Sequence, residues 1–313
     1  MEKVRSYLSL IKFSHTIFAM PFAMIGFVMA LTYYPVHRSV GLTGAITDLP
    51  EAASVNVAYS VGEILLKLAL VILCMVFARS AAMAFNRYLD AHFDALNPRT
   101  AIREIPAGII SESSALRFVI VNCVAFVVCT SFINRICFSL SPVALFVILF
   151  YSYTKRFTPL CHLVLGLGLS LAPIGAYLAV TGQFDLLPVL FSFTVLFWVS
   201  GFDIIYALQD VEFDRSQQLY SIPAFFGKAR GLRISEFLHL LSIITVVYAG
   251  IYAGFGAWYW TGVAVFVSML IYQHSIVKPQ DLRKVNLAFM TANGIASVVF
   301  AMFVIIDLIF NHG

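Results

Sequence analysis

The stretch of sequence that decides the fold is residues 62–94, which read GEILLKLALVILCMVFARSAAMAFNRYLDAHFD. Its first part, up to residue 85, is almost continuously apolar and long enough to cross the roughly 30 Å hydrocarbon core of a bilayer as a helix. Its last part carries regularly spaced polar residues, Asn86, Asp90 and Asp94. The stretch therefore predicts a membrane helix that leads directly into a patterned polar segment.

The composition of the whole chain agrees with a membrane protein. Of its 313 residues, 61% are hydrophobic and 12% are charged, and the mean hydropathy is +0.91. A soluble domain carries about 25% charged residues, and half that density cannot cover a globule with a solvated surface. Soluble dehydrogenases, nucleases and disulfide-stabilised domains are excluded, and no nucleic-acid partner is indicated. We predict an all-α integral membrane protein.

Nine apolar runs are predicted to span the bilayer in a single helical bundle, one domain over residues 1–313. They lie near residues 14–34, 62–85, 116–134, 137–152, 160–180, 186–207, 233–253, 258–275 and 286–309. Most of the 20 basic residues fall on one side if the N-terminus is cytoplasmic, as the positive-inside rule requires. The C-terminus is then external. We predict motif-bearing cytoplasmic loops at about 86–115 and 207–232, and an external structural loop at about 35–59. Asp307 is interpreted as a charge at the membrane interface.

A second acidic cluster, Asp203, Asp210 and Asp214, follows another apolar run on the same predicted side. Helical steps of four, or of seven and four, place the acids of each cluster on one face. Carboxylates at membrane depth are costly without partners, so the clusters indicate divalent cations. Oxygen ligands without Cys or His favour Mg²⁺, which bridges to substrate phosphates. The predicted metal ligands are Asn86, Asp90, Asp94, Asp210 and Asp214.

Basic residues follow each part of this pattern. Arg99 and Arg103 come after the first cluster, and Lys155 and Arg156 lie in the cytoplasmic segment that begins at Tyr151. Carboxylate-bound Mg²⁺ beside arginine and lysine side chains is an arrangement that holds a diphosphate and neutralises it as it leaves.

These motifs resemble the UbiA superfamily of intramembrane prenyltransferases along nearly the whole chain. The matching residues are Asn86-x3-Asp90-x3-Asp94, Asn97-Pro98-Arg99-Thr100-x2-Arg103-x2-Pro106-x-Gly108, Tyr151-x3-Lys155-Arg156, Asp203-x2-Tyr206-Ala207-x-Gln209-Asp210-x3-Asp214, Ser221-Ile222-Pro223 and Gly227. One departure is Arg87, where many relatives carry Asp.

The resemblance implies a nine-helix bundle with a central cavity and a lateral opening to the lipid. It also implies that Mg²⁺ on the aspartate motifs binds a polyprenyl diphosphate, with Tyr151 among the diphosphate-binding residues. The allylic diphosphate ionises, and an electron-rich aromatic ring attacks the carbocation. The enzyme is then an inner-membrane prenyltransferase of ubiquinone or menaquinone biosynthesis.

The resemblance is strongest to two groups, the 4-hydroxybenzoate polyprenyltransferases and the futalosine-pathway branch, whose acceptor is 1,4-dihydroxy-6-naphthoate. The segment Lys12–Phe22 favours the second group. A homogentisate, haem or chlorophyllide type of acceptor is an alternative, as is a cation-coupled transporter. The prenyl chain length and the oligomeric state stay open.

Two residues carry open alternatives for catalysis. Arg79 lies two helical turns before Asn86 on the same face, within the membrane. It either pairs structurally inside the bundle or, as the resemblance implies, binds the carboxylate of the aromatic acceptor through its two-pronged guanidinium. Asp203 either holds metal or takes up the phenolic proton during alkylation.

Overall fold

The computed structural model describes residues 2–11, 18–40 and 60–312. Most of the predicted external loop, and residues 12–17 of the segment that favoured the futalosine-pathway group, lie outside these ranges. Within them the chain is nearly all helical, and the only β pairing is an isolated bridge between Lys278 and Asp281.

Thirteen α-helices are found in the described residues. They are α1 (Glu2–Leu10), α2 (Met20–Val40), α3 (Val61–Leu89), α4 (Ala91–Leu96), α5 (Glu112–Ser131), α6 (Arg135–Thr154), α7 (Cys161–Thr181), α8 (Leu186–Ala207), α9 (Val211–Ser216), α10 (Ile222–Phe226), α11 (Lys228–Ala253), α12 (Ala257–Ile276) and α13 (Asn293–His312). A 3₁₀ turn, Leu208–Asp210, precedes α9, and a π-helix, Leu287–Ala292, leads into α13.

Seven helical segments in the described part of the chain are long and apolar enough to cross a membrane. They contain α3, α5, α6, α7, α8, α11 and α13. Met20–Tyr33 forms a shorter apolar helix, and α12 is helical but is not among the seven. The ends of α12 are rich in aromatic and polar residues, which dilute its apolar centre. The all-α membrane fold is confirmed, whereas the count of nine spans stays a prediction.

The core of the bundle forms around α8, which packs against both α7 and α11. The largest fully buried side chain is that of Trp198, whose ring contacts those of Phe22, Phe202 and Phe266. On the other side of this core, α2 packs closely on α7. A Cβ atom at Gly26 would overlap the carbonyl oxygen of Pro173, so this approach requires glycine.

A buried polar network accompanies the π-helix before α13. The side-chain oxygen of Asn293 accepts hydrogen bonds from Trp198 (2.9 Å) and from Gln273 (2.8 Å). Its amide nitrogen donates to the carbonyl oxygens of Ala288 (3.3 Å) and Phe289 (3.0 Å). A π-helix leaves such carbonyls without their usual i+4 partners, and Asn293 satisfies them.

The interpretation of Asp307 as an interface charge is wrong. The residue is fully buried, and its carboxylate accepts hydrogen bonds from the backbone N–H groups of Gly256 (2.9 Å) and Tyr259 (3.2 Å). These groups lie at the first turn of α12, where helical N–H groups have no partner within the helix. Asp307 therefore caps α12 from α13, a contact between elements that the local sequence does not reveal.

Candidate active site

A polar cavity of about 270 Å³ lies where α3, α6 and α8 end. All of the residues that the sequence predicted to bind metal, diphosphate or acceptor line this cavity. They are Arg79, Asn86, Asp90, Asp94, Arg99, Arg103, Tyr151, Lys155, Arg156, Asp203, Asp210 and Asp214. The fold thus brings four separate sequence motifs to one place.

The first acidic motif does not follow one continuous helix, as its spacing predicted. α3 ends at Leu89 and α4 begins directly after Asp90. At this junction Arg156 donates hydrogen bonds to the carbonyl oxygen of Leu89 (2.8 Å) and to Oδ1 of Asp90 (3.1 Å). The guanidinium satisfies a carbonyl at the helix end, which favours the break. The side-chain amide of Asn86 donates to Oδ2 of Asp90 (3.1 Å) across the last turn.

The second acidic motif is also interrupted. α8 ends after Asp203, at Ala207, and the 3₁₀ turn that follows ends at Asp210. The predicted helical angles between its three aspartates therefore do not hold. Arg99 fixes the turn, since its Nε lies 3.0 Å from Oδ1 of Asp210 and its Nη2 lies 2.6 Å from Oδ2. The same guanidinium donates to the hydroxyl of Tyr206 (3.2 Å).

Each aspartate predicted to bind metal pairs with a basic residue predicted to bind diphosphate. The pairs are Asp90–Arg156 (3.1 Å), Asp94–Arg103 (2.7 Å), Asp210–Arg99 (2.6 Å) and Asp214–Lys155 (2.6 Å). Asp94 and Asp214 are buried. The hydroxyl of Ser221 donates to Oδ2 of Asp214 (3.0 Å), so the second carboxylate oxygen is also satisfied.

The charge state of the cavity follows from burial and pairing. Burial raises the pKa of Asp90, against the opposing effect of Arg156 and Lys155. For Lys155, burial alone would lower the pKa, but Asp214 and other nearby carboxylates raise it overall. For Arg99, too, burial acts to lower the pKa and Asp210 raises it overall. Both basic groups therefore remain charged at neutral pH, as the binding of an anion requires.

The carboxylates do not converge on one point in the structure. No group of three or more His, Cys, Asp or Glu side chains in the described ranges is arranged to hold one metal ion. Each acid instead contacts its own basic partner. The predicted donors, four carboxylates and the amide oxygen of Asn86, are the hard oxygen ligands that suit Mg²⁺. The chemistry of the donor set thus fits the metal, although a converged site is not shown.

A second cavity, of about 410 Å³, adjoins the polar one and is lined mainly by apolar side chains. Five residues line both cavities. They are Arg79, Met83, Tyr151, Leu165 and Leu169. A molecule with a charged head and a hydrocarbon tail would fit the two cavities with its junction beside Arg79 and Tyr151.

Arg79 makes no ion pair with a carboxylate in the part of the chain that the structure describes. Its Nε is buried without a hydrogen-bond partner. An uncompensated cation within a membrane bundle is costly. No carboxylate among these residues therefore pairs with Arg79 inside the bundle. Its side chain is available to an anion in the cavity.

Arg87 and His162 line the polar cavity but were not among the predicted site residues. Arg87 is only 4% exposed, and its Nη1 has no hydrogen-bond partner. Its position directly after Asn86, within the first acidic motif, could have indicated from the sequence that it belongs to the site. His162 contacts Asp203, with 2.7 Å between Nδ1 and Oδ2. In the sequence His162 is one of seven scattered histidines, and no local pattern brings it to Asp203.

Known proteins are similar to this chain in sequence. Residues 50–295 match the sequence model of the UbiA prenyltransferase family. A 4-hydroxybenzoate octaprenyltransferase from Francisella tularensis subsp. novicida is 28% identical over 231 residues, which cover 74% of this chain and 81% of the relative. A protein of the same description from Aeromonas salmonicida is 29% identical over 235 residues, 75% of this chain and 79% of the relative.

Solved structures share the fold. A UbiA homologue from Aeropyrum pernix, in its apo form, superposes with a TM-score of 0.73 at 27% identity, covering 94% of this chain and 97% of the homologue. A UbiA homologue from Archaeoglobus fulgidus bound to GPP and Mg²⁺ superposes with a TM-score of 0.69 at 19% identity, covering 97% and 99%. The helical arrangement of this chain is therefore similar to theirs over nearly its whole length.

Proposed function

The chain belongs to the UbiA prenyltransferase family, and we propose that it transfers a polyprenyl group from a polyprenyl diphosphate to a hydroxylated aromatic carboxylic acid. The acceptor is 4-hydroxybenzoate or 1,4-dihydroxy-6-naphthoate, and the product enters ubiquinone or menaquinone biosynthesis. The observation that carries this proposal is the polar cavity of paired charges, which meets an apolar cavity at Arg79 and Tyr151.

The diphosphate would bind through the four basic residues Arg99, Arg103, Lys155 and Arg156. Tyr151 would lie where the diphosphate joins the prenyl tail. In the structure these four basic groups already pair with carboxylates. A diphosphate can replace the carboxylates as their partner, because arginine and lysine side chains bind phosphate oxygens as they bind carboxylate oxygens. The polyprenyl tail would lie in the apolar cavity, where its burial is favourable.

The carboxylates that the diphosphate releases would hold Mg²⁺, together with the amide oxygen of Asn86. Mg²⁺, when bound, supplies positive charge that neutralises the leaving diphosphate. The homologue from Archaeoglobus fulgidus, which was solved with GPP and Mg²⁺, supports this assignment. The acid–base pairs would then serve both ligands, with the aspartates holding the metal and their basic partners holding the diphosphate.

The acceptor would place its carboxylate on Arg79 and its ring beside the allylic end of the prenyl chain. The ring carbon ortho to the hydroxyl attacks, the C–O bond to the diphosphate breaks, and the acceptor gives up one proton. Asp203, which lines the same cavity, would accept the phenolic proton. The apolar walls exclude water that would otherwise trap the carbocation.

We also propose that the enzyme forms one domain in the cytoplasmic membrane, with its N-terminus inside and its C-terminus outside. The placement of basic residues supports this orientation, because the lysines and arginines that line the polar cavity, apart from Arg79 and Arg87 on α3, follow the ends of α3 and α6 in segments that the positive-inside rule assigns to the cytoplasm.

A product assay tests the proposal. Full-length protein in detergent is given geranyl diphosphate, Mg²⁺ and both acids in competition, and the products are identified by mass spectrometry. We expect one geranylated acid, whose mass names the acceptor, and no product when EDTA is present or when Asp90→Asn replaces the wild type. A folded wild-type protein that prenylates neither acid contradicts the proposal.

A further inference from the structure

His162 is a buried residue at the start of α7, and both nitrogens of its ring are in use. Nδ1 lies 2.7 Å from Oδ2 of Asp203, and Nε2 lies 3.3 Å from the backbone nitrogen of Ile222. Its side chain is 3% exposed, whereas that of Asp203 is 23% exposed and lines the polar cavity. Both residues line the polar cavity, but the ring is almost fully buried while the carboxylate is the more exposed partner.

The hydrogen-bond partners determine where the ring proton lies. The backbone N–H of Ile222 can only donate, so Nε2 must present its lone pair. A neutral imidazole then carries its hydrogen on Nδ1 and donates it to Asp203. A second hydrogen, on Nε2, would face another donor. The arrangement thus selects one tautomer, which acts as a donor toward the carboxylate.

Both ends of this connection are anchored. The backbone carbonyl of His162 accepts a hydrogen bond from Ser200 on α8 (3.1 Å). Ile222 follows Ser221, whose hydroxyl binds Asp214. With Oδ2 held by the His162 ring, Oδ1 is the carboxylate oxygen of Asp203 that is left for the cavity. No other hydrogen bond to Asp203 occurs within the described residues.

We infer that His162 is a positioning residue that holds Asp203 ready to accept the phenolic proton of the acceptor. This inference rests on the proposed function. The phenolic O–H bond breaks toward Oδ1 as the ring carbon attacks. The resulting dienone regains aromaticity when its ring carbon loses a proton to the departed diphosphate and its oxygen recovers the proton from Asp203. One proton is released per transfer, and Asp203 returns to its carboxylate form.

Two substitutions separate the two hydrogen bonds of the ring. In His162→Asn the side-chain amide occupies the position of Nδ1 and can still donate to Asp203, but it does not reach Ile222. In His162→Gln the amide occupies the position of Nε2 and can accept from Ile222, but it leaves Asp203 without a donor. The two variants are similarly polar, so they form a matched pair.

The test measures kcat and KM for both substrates in detergent-purified full-length protein, with the thermal midpoint as a check of folding. A general base contributes about 10²- to 10⁴-fold to a rate, so we expect His162→Gln to lower kcat by at least about tenfold. His162→Asn should stay within about threefold of the wild type, and neither variant should change either KM by more than about twofold, because uniform binding is not affected.

An acceptor analogue distinguishes a positioning role from a purely structural one, because only a positioning role makes the rate defect depend on the acidity of the acceptor hydroxyl. A fluorinated form of whichever acid the wild type accepts has a more acidic hydroxyl and needs less help to lose its proton. The defect of His162→Gln should therefore shrink with this analogue. An unchanged defect, equal activity of both variants, or greater activity of His162→Gln than of His162→Asn overturns the inference. Absence of product from the wild type instead overturns the proposed function.

Discussion

Five aspartates line the polar cavity, and four of them are each held by a single lysine or arginine. Within a bundle, an unpaired charge of either sign would be costly, so these pairs allow the cavity to remain charged before any substrate binds. They also predict that metal and diphosphate bind together. Each aspartate would then exchange its basic partner for the metal, and each basic residue would exchange its aspartate for the diphosphate, so that no charge is left unpaired. The contacts of Arg99 with Asp210 and Tyr206 form the most complete example.

Replacing Arg99 with glutamine should weaken the binding of the prenyl diphosphate. Hydrogen bonds to charged groups contribute about 1.5–3 kcal/mol, so we expect KM for the diphosphate to rise by at least about tenfold in Arg99→Gln. KM for the acid should change much less. The control is Arg283→Gln, which removes a pair of the same type, Arg283 with Asp281, on an exposed turn away from the cavity. An equal effect of the two substitutions on KM would contradict the assignment.

Replacing Arg79 should affect the other substrate. In Arg79→Gln the two-pronged contact with the acceptor carboxylate is lost, and we expect KM for the aromatic acid to rise by about tenfold or more at an unchanged KM for the diphosphate. Steady-state kinetics with each substrate varied in turn measures this. Lys67→Gln is a suitable control, because Lys67 is another cation of α3 and lines neither cavity. A rise in KM for the diphosphate alone would reassign Arg79.

Among the elements, the interruptions of regular helix do most to shape the site. α3 breaks at Asp90, α8 gives way to a 3₁₀ turn at Leu208, and α13 is preceded by a π-helix. Residue spacing predicted which acids belong together, because both motifs start on membrane helices. It did not predict the breaks, because their partners are distant. Arg156 satisfies the end of α3 from the turn that follows α6, and no local pattern contains that contact.

The π-helix connects the bundle core to the cavity. Phe289 lies in it, lines the polar cavity and packs on the ring of Tyr206 with 4.3 Å between centroids. Asn293 holds the free carbonyls of this segment and also binds Trp198 and Gln273.

We therefore expect Asn293→Ala to destabilise the protein by about 2–4 kcal/mol, since it leaves several buried polar groups unpaired. Thermal unfolding in detergent, followed by circular dichroism, measures the change. The matched control is Asn122→Ala, because Asn122 is also buried but bonds only to the carbonyl of Phe118 in its own helix. A midpoint for Asn293→Ala as high as that for Asn122→Ala would show that the network is not needed for stability.

The whole molecule joins two cavities of opposite character within one helical bundle. Composition and run length predicted the membrane fold, and the motifs predicted the polar cavity. The apolar cavity was not predicted residue by residue, since its walls come from α3, α5, α6 and α7 and consist of common aliphatic side chains. Such residues look alike in the sequence whether they line a cavity or fill the core. Only helix packing distinguishes them.

Filling the apolar cavity should restrict the length of the prenyl chain. Gly175 lines it, and a Cβ atom there would meet no other atom within 4 Å. We expect Gly175→Leu to keep most of its activity with geranyl diphosphate and to lose at least about tenfold in kcat/KM with a long polyprenyl diphosphate, since overpacking costs typically 1–3 kcal/mol. Gly175→Ala should show a smaller loss. Equal loss with short and long donors would mean that the tail lies elsewhere.

The most direct test of the account is a structure of the protein with Mg²⁺ and a thio-analogue of geranyl diphosphate that does not ionise. We predict that the diphosphate lies among Arg99, Arg103, Lys155 and Arg156, that Mg²⁺ lies on the aspartates now paired with them, and that the prenyl chain passes Tyr151 into the apolar cavity. A diphosphate bound outside the polar cavity, or bound with the four ion pairs still closed, would contradict it.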